Sequence, residues 1–478
     1  MALYRTGSPI KLFGLFLAGL ILALGIGMPP PAGVEHDVQL VLAIFFATVA
    51  LWITEPVPYT VSSLFSVILL FGLGAAETFS DAVGGFASTL VFFFILLLLI
   101  GKSVAKVNLD DWVAKRLVTA TSTPKSSIRR VAATILLLAF IMPSGMARTA
   151  SFMPVIDQIN DLYEREQDSN FRRLGYYLVG HVNPLSSMAL MTGGGMSIVT
   201  AELINDRVQP ITWVEWAVYM VPAIVMLFVT CAIIASLFYR VKDTGTIVDD
   251  INTGSNSASS NESAIDQLTR DQKIVVTTMV TAIIFWIVGS FIGIPTIIPA
   301  MYMVFVLALP GVNIITADEF RSLSWGIIFL IGAMLSILDV MQETNALDFI
   351  IDALLSGVLV TDNRLFIVML LLVFVIIVRG AFSGVSAAIV ILLPILLEFT
   401  GIIGLNPLYT SLGLLIILGT VTFHPFNQPT ILLAYNAGPL SLREVVILGA
   451  TTLMSGLLVV IVSWLFYWPI VDGIVASI

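Results

Sequence analysis

The chain has 478 residues, of which 58% are hydrophobic and 11% charged, with a formal net charge of −9. A soluble domain carries about 25% charged residues, so the composition excludes an ordinary water-soluble enzyme and points to a bilayer as the solvent. Cys231 is the single cysteine, which excludes a disulfide within the chain. His36, His181 and His424 share no metal-ligand spacing, and no Walker-type phosphate loop is present. These absences read as a non-enzyme with no organic cofactor and no ATP drive of its own.

The elements follow in chain order. An apolar run at 10–27, preceded by Arg5 and closed by Met28-Pro29-Pro30-Pro31, has no small-residue cleavage site and predicts an uncleaved first transmembrane helix. Runs at 38–53, 57–73 and 86–107 predict the next three. A basic amphipathic stretch at 109–118 places Trp112 at a membrane interface. The long apolar segment 128–162 is broken at Pro143-Ser144-Gly145 and predicts a re-entrant hairpin. Helix 5, at 174–204, is interrupted by Gly193-Gly194-Gly195, and helix 6 covers 213–239.

Residues 243–266 hold Ser, Asn, Gly, Asp and Glu but no Lys or Arg, the composition of a solvated cytoplasmic tether. The pattern then begins again: helices at 274–293, 294–309 and 325–340, and a second hairpin at 365–399 broken at 380–384. An interrupted helix follows at 409–436, opened between Pro425 and Pro429, and a last helix at 445–468. Ser144-Gly145 precedes Pro154, and Ser383-Gly384 precedes Pro394, at matched spacing. Matched breaks in matched order are the mark of an inverted repeat and point to the binding site.

The expected fold is therefore an all-α polytopic membrane protein with about 11 transmembrane helices and two re-entrant hairpins. Its expected domains are an N-terminal helix at 1–35, a first repeat at 36–240, a linker at 241–272 and a second repeat at 273–478. With helix 1 running outward, all but four of the 22 Lys and Arg (Arg148, Arg207, Arg364 and Arg379) face the cytoplasm. That asymmetry places the N-terminus inside and the C-terminus outside in a cytoplasmic (inner) membrane.

Half-helix N-termini suit an anion, and unwound carbonyls suit Na⁺. The candidate substrate ligands are Ser144, Gly145, Arg148, Thr149, Arg379, Ser383, Gly384, Gln428 and Thr430. The candidate Na⁺ ligands are Ser144, Gly145, Gly194, Gly195, Ser383, Gly384 and Asn427. Arg148 is the sharpest signal, because a guanidinium within a membrane segment is costly and its fork matches carboxylate, sulfonate or sulfate oxygens. Two alternatives stay open: Arg148 capping carbonyls of its own hairpin, and Arg379 lying near the outer mouth. The hairpins and helix breaks offer no carboxylate of the kind a cation/proton antiporter needs at mid-membrane.

Three runs carry a family resemblance: Trp52-Ile53-Thr54-Glu55-Pro56-Val57-Pro58, the segment 323–333, and Pro425-Phe426-Asn427-Gln428-Pro429 followed by Ala434 to Gly438. Together they resemble the divalent anion–sodium symporters of dicarboxylates, citrate and sulfate. The resemblance implies symport of a small anion with Na⁺, with the anion held between the two hairpin tips near the midplane. It also implies a moving unit against a static scaffold, and a homodimer in the bilayer; no nucleic-acid partner is expected. The family carries Ser-Asn-Thr at each tip. Here Ser144 and Ser383 match the serine, but Gly145-Met146 and Gly384-Val385 stand where Asn-Thr would be. Arg148 falls where some plant-type dicarboxylate translocators of the family also carry an arginine. The rival readings are a sodium-independent anion exchanger of the same fold and a cation/proton antiporter.

Overall fold

The structure, a computed structural model, describes residues 9–31, 34–109, 112, 123–140, 142, 144–163, 165–243, 268–350 and 363–475. The tether at 244–266, most of the amphipathic stretch at 109–118, and Pro143 of the first break lie outside the described residues.

Among the described residues the chain is helical, with turns and no strand. The principal helices are α1 (Pro9–Gly27), α2 (His36–Thr54), α3 (Tyr59–Gly72), α4 (Thr89–Lys106), α5 (Pro124–Ala139), α6 (Gly145–Leu162), α7 (Asn170–Tyr177), α8 (Gly195–Arg207), α9 (Trp213–Tyr239) and α10 (Arg270–Ile292). They continue as α11 (Ile297–Ala308), α12 (Ala317–Arg321), α13 (Trp325–Glu343), α14 (Arg364–Ala381), α15 (Val385–Ile403), α16 (Pro407–Thr420), α17 (Pro429–Asn436), α18 (Leu442–Val462) and α19 (Trp468–Val475). Eight described helical segments are long and apolar enough to cross a membrane. The all-α polytopic class read from the sequence therefore holds.

Local chemistry starts and stops these helices. Thr212 with Glu215, Thr269 with Gln272, and Ser441 with Glu444 form reciprocal capping boxes at the starts of α9, α10 and α18. Each satisfies backbone N–H groups that lipid could not. Thr123 caps α5, with Pro124 at its first position. Gly404, at φ 73, ends α15 in the left-handed conformation.

The chain divides into two compact units. The first comprises 1–95 and 324–410, the second 96–323 and 411–478. Within the first, α1 packs on α2 through small residues. A Cβ on Gly14 would lie 1.9 Å from Thr54 Oγ1, and one on Gly25 would lie 2.2 Å from Ala43 Cβ. Close backbone approach of this kind is how helices associate where lipid removes the hydrophobic drive. Gly332 of α13 lies under the Phe86 ring, and the Gly85 N–H donates to Ser336 Oγ at 3.0 Å. Of the two glycines in the 323–333 run, Gly332 is thus needed for packing.

Within the second unit, α9 packs against α18 and α7. Tyr177 and Thr452 share a hydrogen bond at 2.8 Å, and Arg173 Nη1 meets Glu444 Oε1 at 3.2 Å. Helix 5 of the sequence reading loses regularity well before its glycines. It turns as a π-turn at Leu178–Val182, a single α-turn at Asn183–Ser186 and a 3₁₀ turn at Ser187–Ala189, and only then reaches Gly193–Gly195. Asn183-Pro184 gave that signal, and π-turns recur at functional sites.

Candidate functional site

In the second unit the break between α5 and α6 lies against the irregular stretch after α7. Ser144 is the N-cap of α6, its Oγ accepting from Ala147 N at 3.2 Å. One turn on, Arg148 is fully buried. Its Nε donates to Asn183 Oδ1 at 2.7 Å and its Nη2 to Ser187 Oγ at 2.7 Å. Longer bonds run from Nη2 to Asn183 O and Ser186 Oγ, both at 3.4 Å, and Nη1 donates to Met142 O. The guanidinium clasps its own hairpin turn to the broken helix: only Met142 O is a carbonyl of its own hairpin, and the other acceptors belong to Asn183, Ser186 and Ser187. The charge is a separate matter. Among the described residues every one of these partners is neutral, and a buried cation without a counter-charge raises the potential around it.

Asn183, which the sequence reading did not single out, organises the clasp. Its Nδ2 donates to Gly145 O at 2.8 Å and to Thr149 Oγ1 at 2.9 Å. Thr149 in turn donates to Val179 O at 2.6 Å. Ser187 is the other unnoticed member. Gly193 and Gly194 leave room for it: a Cβ on Gly193 would come 2.2 Å from Ser187 O, and one on Gly194 would come 3.2 Å from Ser187 Cβ. Gly195 then opens α8, whose Ser197 donates to Ser187 O at 3.1 Å.

The second broken helix joins the same unit. Thr430 of α17 donates to Gly180 O at 2.8 Å, and Asn427 Oδ1 accepts from His424 N at 2.8 Å. Gln428 is buried, and its Oε1 has no hydrogen-bond partner among the described residues. An orphan acceptor at a helix break suits a cation or a donating ligand group. A small, mainly apolar cavity adjoins the first broken helix at Thr192-Gly193, walled also by Ile100, Phe140, Trp213 and Trp286. The unit thus gathers Ser144, Gly145, Arg148, Thr149, Gly194, Gly195, Asn427, Gln428 and Thr430.

The remaining predicted residues lie in the first unit, around the break between α14 and α15. Arg379 is fully buried, and its Nη1 donates to Phe382 O at 2.8 Å, closing its own turn. Gly384 is the N-cap position of α15, in extended backbone. Ser383 Oγ donates to Glu55 Oε1 at 2.7 Å. The hairpin itself carries no carboxylate at its tip; Glu55 of the 52–58 run, outside both hairpins, supplies this one. The two residues are 328 positions apart, so spacing carried no sign of the pair.

Comparison with known proteins agrees with this architecture. The profile of the family described as "Sodium:sulfate symporter transmembrane region" matches residues 10–474. A sodium-dependent dicarboxylate transporter, SdcS, of Staphylococcus saprophyticus is 22% identical, over 97% of this chain and 92% of its own length. An L-tartrate/succinate antiporter of Escherichia coli K12 is 24% identical, over 95% of this chain and 98% of its own. Among solved structures, the YdaH transporter of Alcanivorax borkumensis, described as having an unusual topology, superposes with a TM-score of 0.55 at 15% identity, covering 97% of each chain. That likeness concerns the fold. The match along nearly the whole chain makes this protein a multi-pass membrane protein belonging to the sodium:sulfate symporter transmembrane family.

Proposed function

We propose that the chain carries a small oxyanion (a dicarboxylate, sulfonate or sulfate) across the cytoplasmic membrane in symport with Na⁺. The observation that carries this reading is the Arg148 guanidinium, buried among neutral partners at the break between α5 and α6. Two unit charges about 4 Å apart interact by roughly 4 kcal/mol at an effective dielectric of 20. An anion held near the clasp therefore relieves a buried charge that its partners among the described residues leave uncompensated. With each of its three nitrogens already donating to Met142, Asn183 or the serines, Arg148 acts through its field and by shaping the turn.

Sodium coupling is supported by the family and by its sodium-dependent dicarboxylate relative. Acceptor oxygens at the breaks, among them Gln428 Oε1, fit that role. The breaks act as re-entrant tips, and the protein works as a homodimer with its N-terminus in the cytoplasm. A second reading, obligate exchange without sodium, is favoured by the tartrate/succinate antiporter relative.

Proteoliposome uptake of labelled succinate, sulfate and a short sulfonate separates the two readings. Each is run with an inward Na⁺ gradient, with K⁺ in place of Na⁺, and with internal unlabelled anion. The symporter gives saturable uptake that collapses in K⁺. Uptake indifferent to Na⁺ and driven by internal anion establishes exchange. No saturable uptake of any of the three removes the oxyanion reading.

A further inference from the structure

The run at 52–58 carries a family resemblance but no expected role in the site. In the first unit it ends on the tip of the second hairpin. Glu55 has φ 45 and ψ 48, a left-handed conformation that residues with a Cβ adopt only where their surroundings hold them. Its N–H donates to Leu51 O at 3.0 Å, and Pro56 follows directly. The carboxylate so placed takes two protons on one oxygen: Oε1 accepts from Ser383 Oγ at 2.7 Å and from the Tyr59 hydroxyl. Tyr59 and Ser383 oxygens lie 3.2 Å apart, closing a triangle.

We infer that Glu55, supported by Tyr59, is a positioning residue that sets the polarity of the Ser383 hydroxyl. A serine hydroxyl has one proton and two lone pairs. Ser383 gives its one proton to Glu55, so only lone pairs remain for a ligand. Tyr59 spends its own proton on the same carboxylate and leaves that geometry undisturbed. An oxygen offering only lone pairs can ligate a cation but has no proton for a carboxylate or sulfate oxygen. The neighbouring negative charge strengthens that preference by polarising the hydroxyl. Ser383 therefore serves Na⁺ and not the anion, and Glu55 acts on the cation through it. The inference rests on the sodium-coupled reading above.

The test uses the full chain in proteoliposomes and measures anion uptake against Na⁺ concentration and, separately, against anion concentration at saturating Na⁺. Wild type, Glu55→Gln, Tyr59→Phe, Ser383→Ala and the Glu55→Gln/Ser383→Ala double variant are compared. Glu55→Gln and Ser383→Ala each raise the half-saturating Na⁺ concentration by about tenfold or more, as expected for loss of a charge-assisted contact. The anion concentration for half-maximal uptake changes by less than about twofold. The double variant is no worse than the poorer single, because both act through one oxygen. Should Glu55→Gln not fold, Tyr59→Phe carries the test with a smaller shift in the same direction. A shift in the anion requirement, an unchanged Na⁺ requirement in folded variants, or additive effects overturns the assignment. Wild-type uptake without Na⁺ overturns it together with the symport reading, and is distinguished because the wild type itself departs.

Discussion

At the scale of the residue, Arg148 shows how one side chain can be structural in its contacts and functional in its charge. Three nitrogens reach Met142, Asn183 and Ser187 at once, a task for a planar fork and not for the point donor of a lysine. Arg148→Lys keeps the charge and loses the fork. The expected result is a fall in uptake of about tenfold or more, with a lowered melting temperature as the turn loosens. Asn183→Ala, which takes away the oxygen that Nε holds and frees Gly145 O, should reproduce the lowered melting temperature. If Arg148→Lys transports as wild type, neither the clasp nor its geometry is needed. Arg148, with Gly145 and Thr149 of its own turn, was legible beforehand, but Asn183 and Ser187 were not. Those two partners lie 35 and 39 positions on from Arg148, and nothing in local spacing joins an Asn or Ser at that distance to it.

At the scale of the element, the helix breaks were readable because glycine and proline mark them chemically, whereas their extent was not. Gly193 to Gly195 announced an interruption, but the backbone is irregular from Leu178, five residues before the Asn183-Pro184 pair that marks the same stretch. The glycines that matter are those with a neighbour in place of a Cβ. Gly449→Ala would put its methyl 2.3 Å from Thr422 O, between α18 and the segment before the 425–427 turn, while Gly19→Ala in α1 meets nothing within 4 Å. The first should abolish expression of folded protein. The second should be neutral or stabilising by roughly 0.5–1 kcal/mol. Size-exclusion profiles and thermal melts in detergent separate them.

A second element-scale case concerns the ends of α4 and α12, where Lys106 Nζ lies 2.6 Å from Glu319 Oε1. Partial burial pushes the Glu319 carboxyl up, but Lys106 and the Thr316 hydroxyl and N–H outweigh it and hold the group down at about 2. The folded value lies below the ordinary 4.5, so the stabilisation is complete above about pH 4.5 and is lost as pH falls towards 2. The melting-temperature gap between wild type and Glu319→Gln should therefore be constant from neutral pH to about 4.5 and close below it. A gap that stays open at the acid end would mean that packing, and not the ion pair, sets it.

At the scale of the whole molecule, the expected repeats and the compact units divide the chain differently. The repeats are expected at 36–240 and 273–478, on either side of the linker. Each compact unit draws on both: the first takes 1–95 with 324–410, the second 96–323 with 411–478. Residues 243 and 268, which flank the linker, both fall in the second unit. Pattern along the chain predicts such repeats, because breaks and prolines recur in order. It could not reveal the units, which depend on contacts such as Thr430 to Gly180 and Ser383 to Glu55 across 250 and 328 positions. The division has a consequence for a chain severed within 244–267. Neither fragment contains a complete unit, so each leaves buried helix faces and paired polar groups without partners in lipid. Either fragment produced alone should be degraded or aggregate. Produced together, the two should associate, purify as one complex and restore anion uptake. If one fragment alone gives a monodisperse, cooperatively melting species, the repeats are the folding units and the contact division is not.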